Sequence, residues 1–313
     1  MKKTTETGNF EAQGEVSPDE TGYSSGFRMK EFDDLDFTDD FMFCKTMVEN
    51  PDLCKELAEL IIGRKIRKML SVHDQKSIRV TADGKGVRFD VQLEGDDEIC
   101  DIEMQNSIDK EILPKRSRYY QSVSDVNFLA KGSDYTKLKK SYIIFICRHR
   151  PFEDKELHIF TFKNICKEDT TLELGDETVK IFLTPDGTAQ DVSGEVKEFM
   201  AYMTDHKTES DFAKRLDDAV GKIKSGEGWR IEYTQLREKM EKQYEAGKET
   251  GRKAGIEEGR KVGIEEGIAV LIGSYTEDGA SESVIEEKLV RKYGLTPEEA
   301  KDKIAAYGKR TKE

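Results

Sequence analysis

The sequence predicts an α/β protein, helices around a sheet, with a helical C-terminal extension. Three observations carry that expectation. Residues 86–105 alternate apolar and polar side chains with period two on both sides of Gly95-Asp96-Asp97-Glu98, the pattern of a strand hairpin. Segments of helical spacing lie before and after this hairpin, and a buried-type strand follows them. From residue 192 on, helical periodicity takes over and ends in a charged stretch where glycine recurs every fourth residue.

Taken in order, residues 1–26 are rich in Thr, Glu, Gly and Ser with almost nothing apolar, so a disordered tail is expected over 1–30. Thr38 is placed to cap a helix carrying Phe41, Met42, Cys44, Lys45 and Val48 up to Asn50-Pro51. Leu53, Leu57, Leu60 and Ile61 give a second helix, with Gly63 as its C-cap. Ile78 to Thr81 reads as a strand entering a tight turn at Asp83-Gly84.

The hairpin comes next. If the chain reverses about Asp96-Asp97, Phe89 faces Met104, Val91 faces Ile102 and Leu93 faces Cys100, which makes one face wholly apolar. On the other face Asp90 lies opposite Glu103, Arg88 opposite Gln105 and Gln92 opposite Asp101, with facing Cβ atoms roughly 4.5–5.5 Å apart. Like charges directly opposite on a sheet are destabilising. Two readings follow: a solvated face screened by Arg88 and water, or a divalent cation between the acids. Mg²⁺ takes hard oxygen ligands and is commonly held by one or two carboxylates plus substrate phosphate.

Ile112 to Ala130 then has helical spacing through Tyr119, Val123, Val126 and Leu129, and Ser141 to Cys147 is a continuous apolar strand of the fully buried type. Residues 158–162 and 178–183 read as further strands, extending the sheet or forming a small one of their own. Helices are expected at 192–205, at 208–224 and from Trp229. Thr296-Pro297-Glu298-Glu299 has the residues of a capping box, so the last stretch is a helical hairpin about Gly294-Leu295. The resulting division is a tail at 1–30, a main domain at 31–225, a long Gly-periodic helix at 226–275 and a small helical hairpin at 276–313.

Six glycines, 247, 251, 255, 259, 263 and 267, define the periodic stretch. In a lone helix each costs about 1 kcal/mol against alanine, roughly 6 kcal/mol in all. A four-residue period drifts about 40° per repeat around an ideal helix and favours right-handed wrapping on a partner. Homo-oligomerisation through this segment and a solvated charged tether are the two readings.

Charged residues make up 37% of the chain and the net charge is −13, so the whole molecule is not a basic nucleic-acid binder. Locally the balance reverses: residues 110–150 hold ten Lys or Arg against three acids, a possible phosphate footprint. The five cysteines form no C-x-x-C, and the four histidines have no metal-ligand spacing. The first ten residues have lysines but no apolar core, unlike a signal peptide. The apolar run at Tyr142–Cys147 is too short to span a bilayer. No membrane association and a cytoplasmic location are expected.

Asp90, a hairpin, then Glu103-Met104-Gln105 resembles the core of the PD-(D/E)XK nucleases in the variant of the recombination-promoting-nuclease-like transposase family, where Gln takes the usual Lys position. The likeness extends to residues 37–45 and to Lys115-Arg116-Ser117-Arg118-Tyr119-Tyr120-Gln121, covering 35–150. It implies a restriction-endonuclease-like α-βββ-α-β core, a mixed sheet flanked by helices, with the last strand beside the metal-bearing one. It also implies that Asp90 and Glu103 bind Mg²⁺, or Mn²⁺, that the Met104 carbonyl completes the protein ligands, and that Gln105 orients the attacking water. Arg116, Arg118, Tyr119 and Tyr120 would contact DNA. Glu56, Glu59 or Asp40 would supply an additional acid. An amide is neither a cation nor a useful base, so Gln105 leaves activation to the metal.

Three functions are consistent with this: a metal-dependent DNA endonuclease tied to recombination or mobile elements, a nucleic-acid-binding protein of the same fold without activity, and a scaffold acting through its C-terminal helix.

Overall fold

Two helices open the fold, parted by the Asn50-Pro51 step. In the computed structural model, which describes residues 29–78, 87–153 and 155–310, α1 covers Asp40–Glu49 and α2 covers Pro51–Ile62. Proline suits a first helical turn because its missing N–H has no intrahelical partner to lose. Gly63 closes α2 in the left-handed region, φ 76°, donating its N–H to the Glu59 carbonyl at 2.9 Å. Asp39, in place of Thr38, holds the N-cap position of α1. Thr38 instead donates its N–H and hydroxyl to Asp36, at 2.7 and 2.5 Å, a local bond that competes with capping.

The first strand differs from the expectation. β1 runs Met69–Ile78, so it begins well before the strand read at 78–81. It is an edge strand with β2 as its one neighbour, and such strands are commonly polar; Ser71, His73 and Asp74 conceal its alternation. Residues 79–81 of the expected strand, the turn expected at Asp83-Gly84, and most of the tail expected at 1–30 lie outside the described residues. β2, Val87–Gly95, and β3, Glu98–Gln105, are joined through Asp96-Asp97. Their register pairs Val91 with Ile102, Gln92 with Asp101 and Leu93 with Cys100, as the alternation predicts. Gly95 sits so close to the neighbouring chain that a Cβ there would lie 3.0 Å from the Lys68 carbonyl.

Helix α3, Ile112–Phe128, carries the chain from β3 to β4, Lys140–Cys147, which pairs parallel to β3. β5, Ile159–Phe162, and β6, Thr178–Leu183, extend the same sheet, whose order is β1-β2-β3-β4-β6-β5. β4 and β6 are parallel and the remaining pairs antiparallel. The result is a mixed sheet flanked by helices, consistent with a restriction-endonuclease-like α/β fold.

β4 shows why the sheet is buried on both faces. Tyr142, Ile144 and Ile146 pack with residues of α1, α2, α4 (Gly194–Asp205) and α5 (Asp211–Ser225). Ile143, Phe145 and Cys147 pack with Leu113, Tyr120 and Val123 of α3. A central strand covered on both sides reads as an unbroken apolar run. β2 departs from its expected single apolar face. Val91 and Leu93 join the first cluster, but Val87 and Phe89 join the second, so Phe89 does not share a face with Met104. The alternation breaks at Asp90, and Phe89 stacks edge-on against Tyr120, centroids 5.1 Å apart.

By its contacts the chain divides into a unit ending at Met240 and one beginning at Glu241; α6, Glu227–Glu277, contributes to both. In the first, Lys45 bonds Asp74 and Glu232, each at 3.0 Å. The second contains α7, Glu282–Tyr293, and α8, Pro297–Arg310, around Ile268, Ile272, Ile285 and Leu289. Its capping box forms as read: Thr296 N–H donates to Glu299 at 2.8 Å and Glu299 N–H to the Thr296 hydroxyl at 3.2 Å. Of the six periodic glycines, Gly267 lies under the Tyr293 hydroxyl, while a Cβ on each of the other five would meet nothing within 4 Å. Among the described residues no helix is long and apolar enough to cross a membrane.

Candidate active site

Alternation along the hairpin delivers Asp90 and Glu103 to adjacent strands, and their own side chains then fasten those strands. The β2–β3 ladder runs from Glu94–Ile99 to Val91–Ile102. Past it, carboxylates pair with main chain: Asp90 N–H donates to Glu103 Oε1 and Met104 N–H to Asp90 Oδ2, both at 3.0 Å. Asp90 is 8% exposed and Glu103 fully buried. Burial, the largest cause for both, raises the two carboxyl pKa values; Glu103 and then Asp40 add like charge at Asp90. Two desolvated acids on adjacent strands, each raising the other's cost of ionisation, call for a cation.

One cation is supplied by the chain. Arg116, on the first turns of α3, donates Nη2 to Glu103 Oε2 at 3.2 Å, Nη1 to Gln105 Oε1 at 2.9 Å and Nε to the Tyr120 hydroxyl at 3.0 Å. Its guanidinium also lies over the Tyr120 and Phe145 rings, 5.0 and 5.8 Å from their centroids. The other end of the Gln105 amide donates to the Ser107 carbonyl. Gln105 is therefore fixed from both sides, and Arg116 faces inward.

A third acid approaches from α1. Asp40, Cys44 and Asp90 each offer a ligand atom, all within 4.8 Å of one another; Glu103 is not in this group. Asp40 and Cys44 are four apart and so share a helix face. Asp40 Oδ2 also accepts from Arg88 at 3.1 Å, and the Cys44 thiol donates to the Asp90 carbonyl at 3.4 Å. Burial, then the charges of Asp40 and Asp90, push the Cys44 thiol pKa well up. Carboxylate oxygens gathered this closely fit a hard divalent ion such as Mg²⁺, although Arg88 and Arg116 already offset part of their charge. Mn²⁺ suits the same oxygen donors, whereas the sulfur would favour softer metals only on losing its proton, which its raised pKa opposes. Met104, whose carbonyl was expected as a ligand, is in register with Ile146 of β4.

The other expected residues separate. Glu56 pairs with Arg215 at 2.7 Å. Glu59 accepts from Lys65 and from the Ile66 N–H, both at 2.8 Å, closing the turn after α2. Neither is brought to the Asp90 site; Asp40 is. Tyr120 is in the second core cluster, whereas Arg118 and Tyr119 are exposed on α3. Part of the basic island is neutralised: Lys110 pairs with Glu153 and Lys139 with Glu94.

Sequence reading missed the inward turn of Arg116 and the place of Cys44. The four-residue spacings Arg116–Tyr120 and Asp40–Cys44 were the available signals. A family model described as PD-(D/E)XK nuclease family transposase matches residues 35–184, from the approach to α1 through the end of β6. No curated protein matches the chain.

Proposed function

From the match of residues 35–184 to the PD-(D/E)XK nuclease family transposases, we propose that the chain is a divalent-metal-dependent DNA endonuclease acting in recombination or on mobile elements. The observation that carries this reading is the pair of buried carboxylates, Asp90 and Glu103, held together by each other's backbone and approached by Asp40. Mg²⁺ or Mn²⁺ would be held by Asp90 and Glu103, with the Met104 carbonyl and Asp40 or Cys44 as further donors. When bound, such an ion lowers the pKa of a water and offsets charge on the phosphate.

The chain's own residues do the rest. Asp90 and Glu103 keep fixed orientations because one oxygen of each is tied to main chain. Arg116 puts a permanent positive charge where Gln105, unlike lysine, provides none, and the Gln105 carbonyl oxygen aims that guanidinium. A preorganised donor of this kind stabilises developing phosphate charge. Exposed Lys115, Arg118 and Tyr119 on α3 would contact flanking phosphates, which position a duplex without reading its sequence.

Plasmid nicking with Mg²⁺ or Mn²⁺ tests the reading. Wild type is expected to cut, and Asp90→Asn and Glu103→Gln to lose cutting while remaining folded. Binding without cleavage is the second reading, favoured by one observation: Arg116 already satisfies Glu103. In that case salt-dependent binding persists and no divalent metal elicits cutting.

The Gly-periodic part of α6 is proposed to pair with a copy of itself, supported by the open space beside Gly247, Gly251, Gly255, Gly259 and Gly263 and by exposed Ile256 and Val262. Sedimentation of the full chain beside one ending at residue 243 decides this; equal oligomeric states reject it.

A further inference from the structure

On the α3 side of the sheet lies a cavity of about 270 Å³ that the site above does not use. Phe152, Phe162 and Phe182 line it, and Ser117, the residue after Arg116, forms part of the wall. The three rings pack on one another with centroids 5.2 to 5.7 Å apart, and Phe162 remains 46% exposed at the mouth. Phe182 in turn stacks nearly parallel on Phe145, interplanar angle 9°, centroids 5.4 Å apart. Phe145 is the ring beneath the Arg116 guanidinium. A single aromatic ring therefore separates the cationic edge of the carboxylate site from the cavity floor.

The rim fixes the kind of occupant. Lys163 is matched by Glu173 at 2.8 Å, and Lys180 acts on the nearby carboxylate of Asp125. Asn164 donates to Asp176 at 2.6 Å, and the Ser117 hydroxyl donates to the Pro114 carbonyl at 2.8 Å. Lys163 is neutralised and the amide and hydroxyl groups of the rim are engaged, while Lys180, with no ion pair among the described residues, leaves one positive charge beside the rings. What remains is an aromatic slot just under the size of a drug-like ligand site, suited to a planar ring.

We propose that this cavity receives one unpaired nucleobase of a nucleic-acid strand whose backbone crosses the Asp90–Glu103 site, holding it by stacking on Phe162 and its neighbours. The proposal rests on the nuclease reading. Stacking without edge contacts tolerates any base, so the pocket fixes the strand's position without selecting its sequence.

The test is fluorescence anisotropy of labelled single-stranded DNA and RNA oligonucleotides in EDTA, each compared with a series lacking one base at successive positions. In wild type one abasic position is expected to weaken binding about 5- to 150-fold, the factor for losing one base–aromatic stack. Phe162→Ala should weaken the intact strand by a similar factor and abolish the penalty at that position, and Phe162→Tyr should restore both. Melting curves verify that the variants fold. Binding with no sensitive position, or a penalty that survives Phe162→Ala, overturns the pocket alone. Failure of every oligonucleotide to bind also overturns the pocket, while the nuclease reading is decided separately by plasmid nicking with Mg²⁺ or Mn²⁺.

Discussion

Replacing Arg116 by methionine removes the guanidinium and keeps much of the apolar stem. Glu103 then has no opposite charge beside it in a position with no solvent exposure. Breaking a buried ion pair from one side costs about 3–5 kcal/mol. Because the Arg116 side chain is itself 21% exposed, water screens part of the pair, and about 3 kcal/mol is the reasonable figure. At 2–4 °C per kcal/mol for a unit of this size, the melting temperature should fall by about 6–12 °C. The loss depends on pH. Burial raises the Glu103 pKa in the folded state and Arg116 opposes that rise, so the substitution raises it further. A carboxyl with a raised folded pKa favours the fold when protonated, and the unfolded state is common to both chains, so the extra deficit is absent while pH lies below the raised folded value of wild type. It grows as pH climbs through the folded pKa. Urea or thermal denaturation at pH 5 and pH 8 should show the larger deficit at pH 8, and Glu103→Gln in the same chain should cancel most of it. Equal deficits at both pH values, with additive effects of the two substitutions, would show that Arg116 stabilises only by stacking on Tyr120 and Phe145.

Three further outcomes are expected. Mn²⁺ at a hundred times its dissociation constant should stabilise wild type by about 2.7 kcal/mol, read as a higher melting temperature, and should leave Asp90→Asn unmoved; an equal shift in both places the ion elsewhere. Without metal, Asp90→Asn should melt above wild type at pH 8 and lose that advantage at pH 3, because the raised Asp90 pKa means the charged form opposes folding. Gly251→Ala, with open space around its Cβ, should stabilise α6 by up to about 1 kcal/mol, whereas Gly187→Ala, whose Cβ would fall 2.6 Å from the His158 nitrogen, should destabilise the first unit; thermal melting of each variant settles the contrast.

Elements with a strong local signature were legible. The register of β2 and β3 followed from alternation because a one-residue slip would turn every side chain to the wrong face. Gly63 and the Thr296–Glu299 box followed from capping chemistry that needs only neighbouring residues. β1 was obscured because an edge strand has no second neighbour to demand apolar alternation. The pairing of Asp90 with Glu103 was readable as proximity, yet Phe89 switching faces was not, since it depends on how β2 parts from β3 at Asp90. Arg116 was expected to contact DNA from the family resemblance; that its guanidinium folds onto Glu103 and Gln105 depends on α3 lying over the sheet, which no local pattern encodes.

The two acids at the end of the hairpin ladder do double duty, and that constrains any ligand they take. With one oxygen of each already committed to a peptide N–H, Asp90 and Glu103 can each extend one oxygen outward, and on Glu103 that oxygen is the one Arg116 holds. An ion held by both acids would share that Glu103 oxygen with Arg116 or take it from the guanidinium. In the second case, filling the centre would also free the arginine toward substrate, through competition for one carboxylate oxygen.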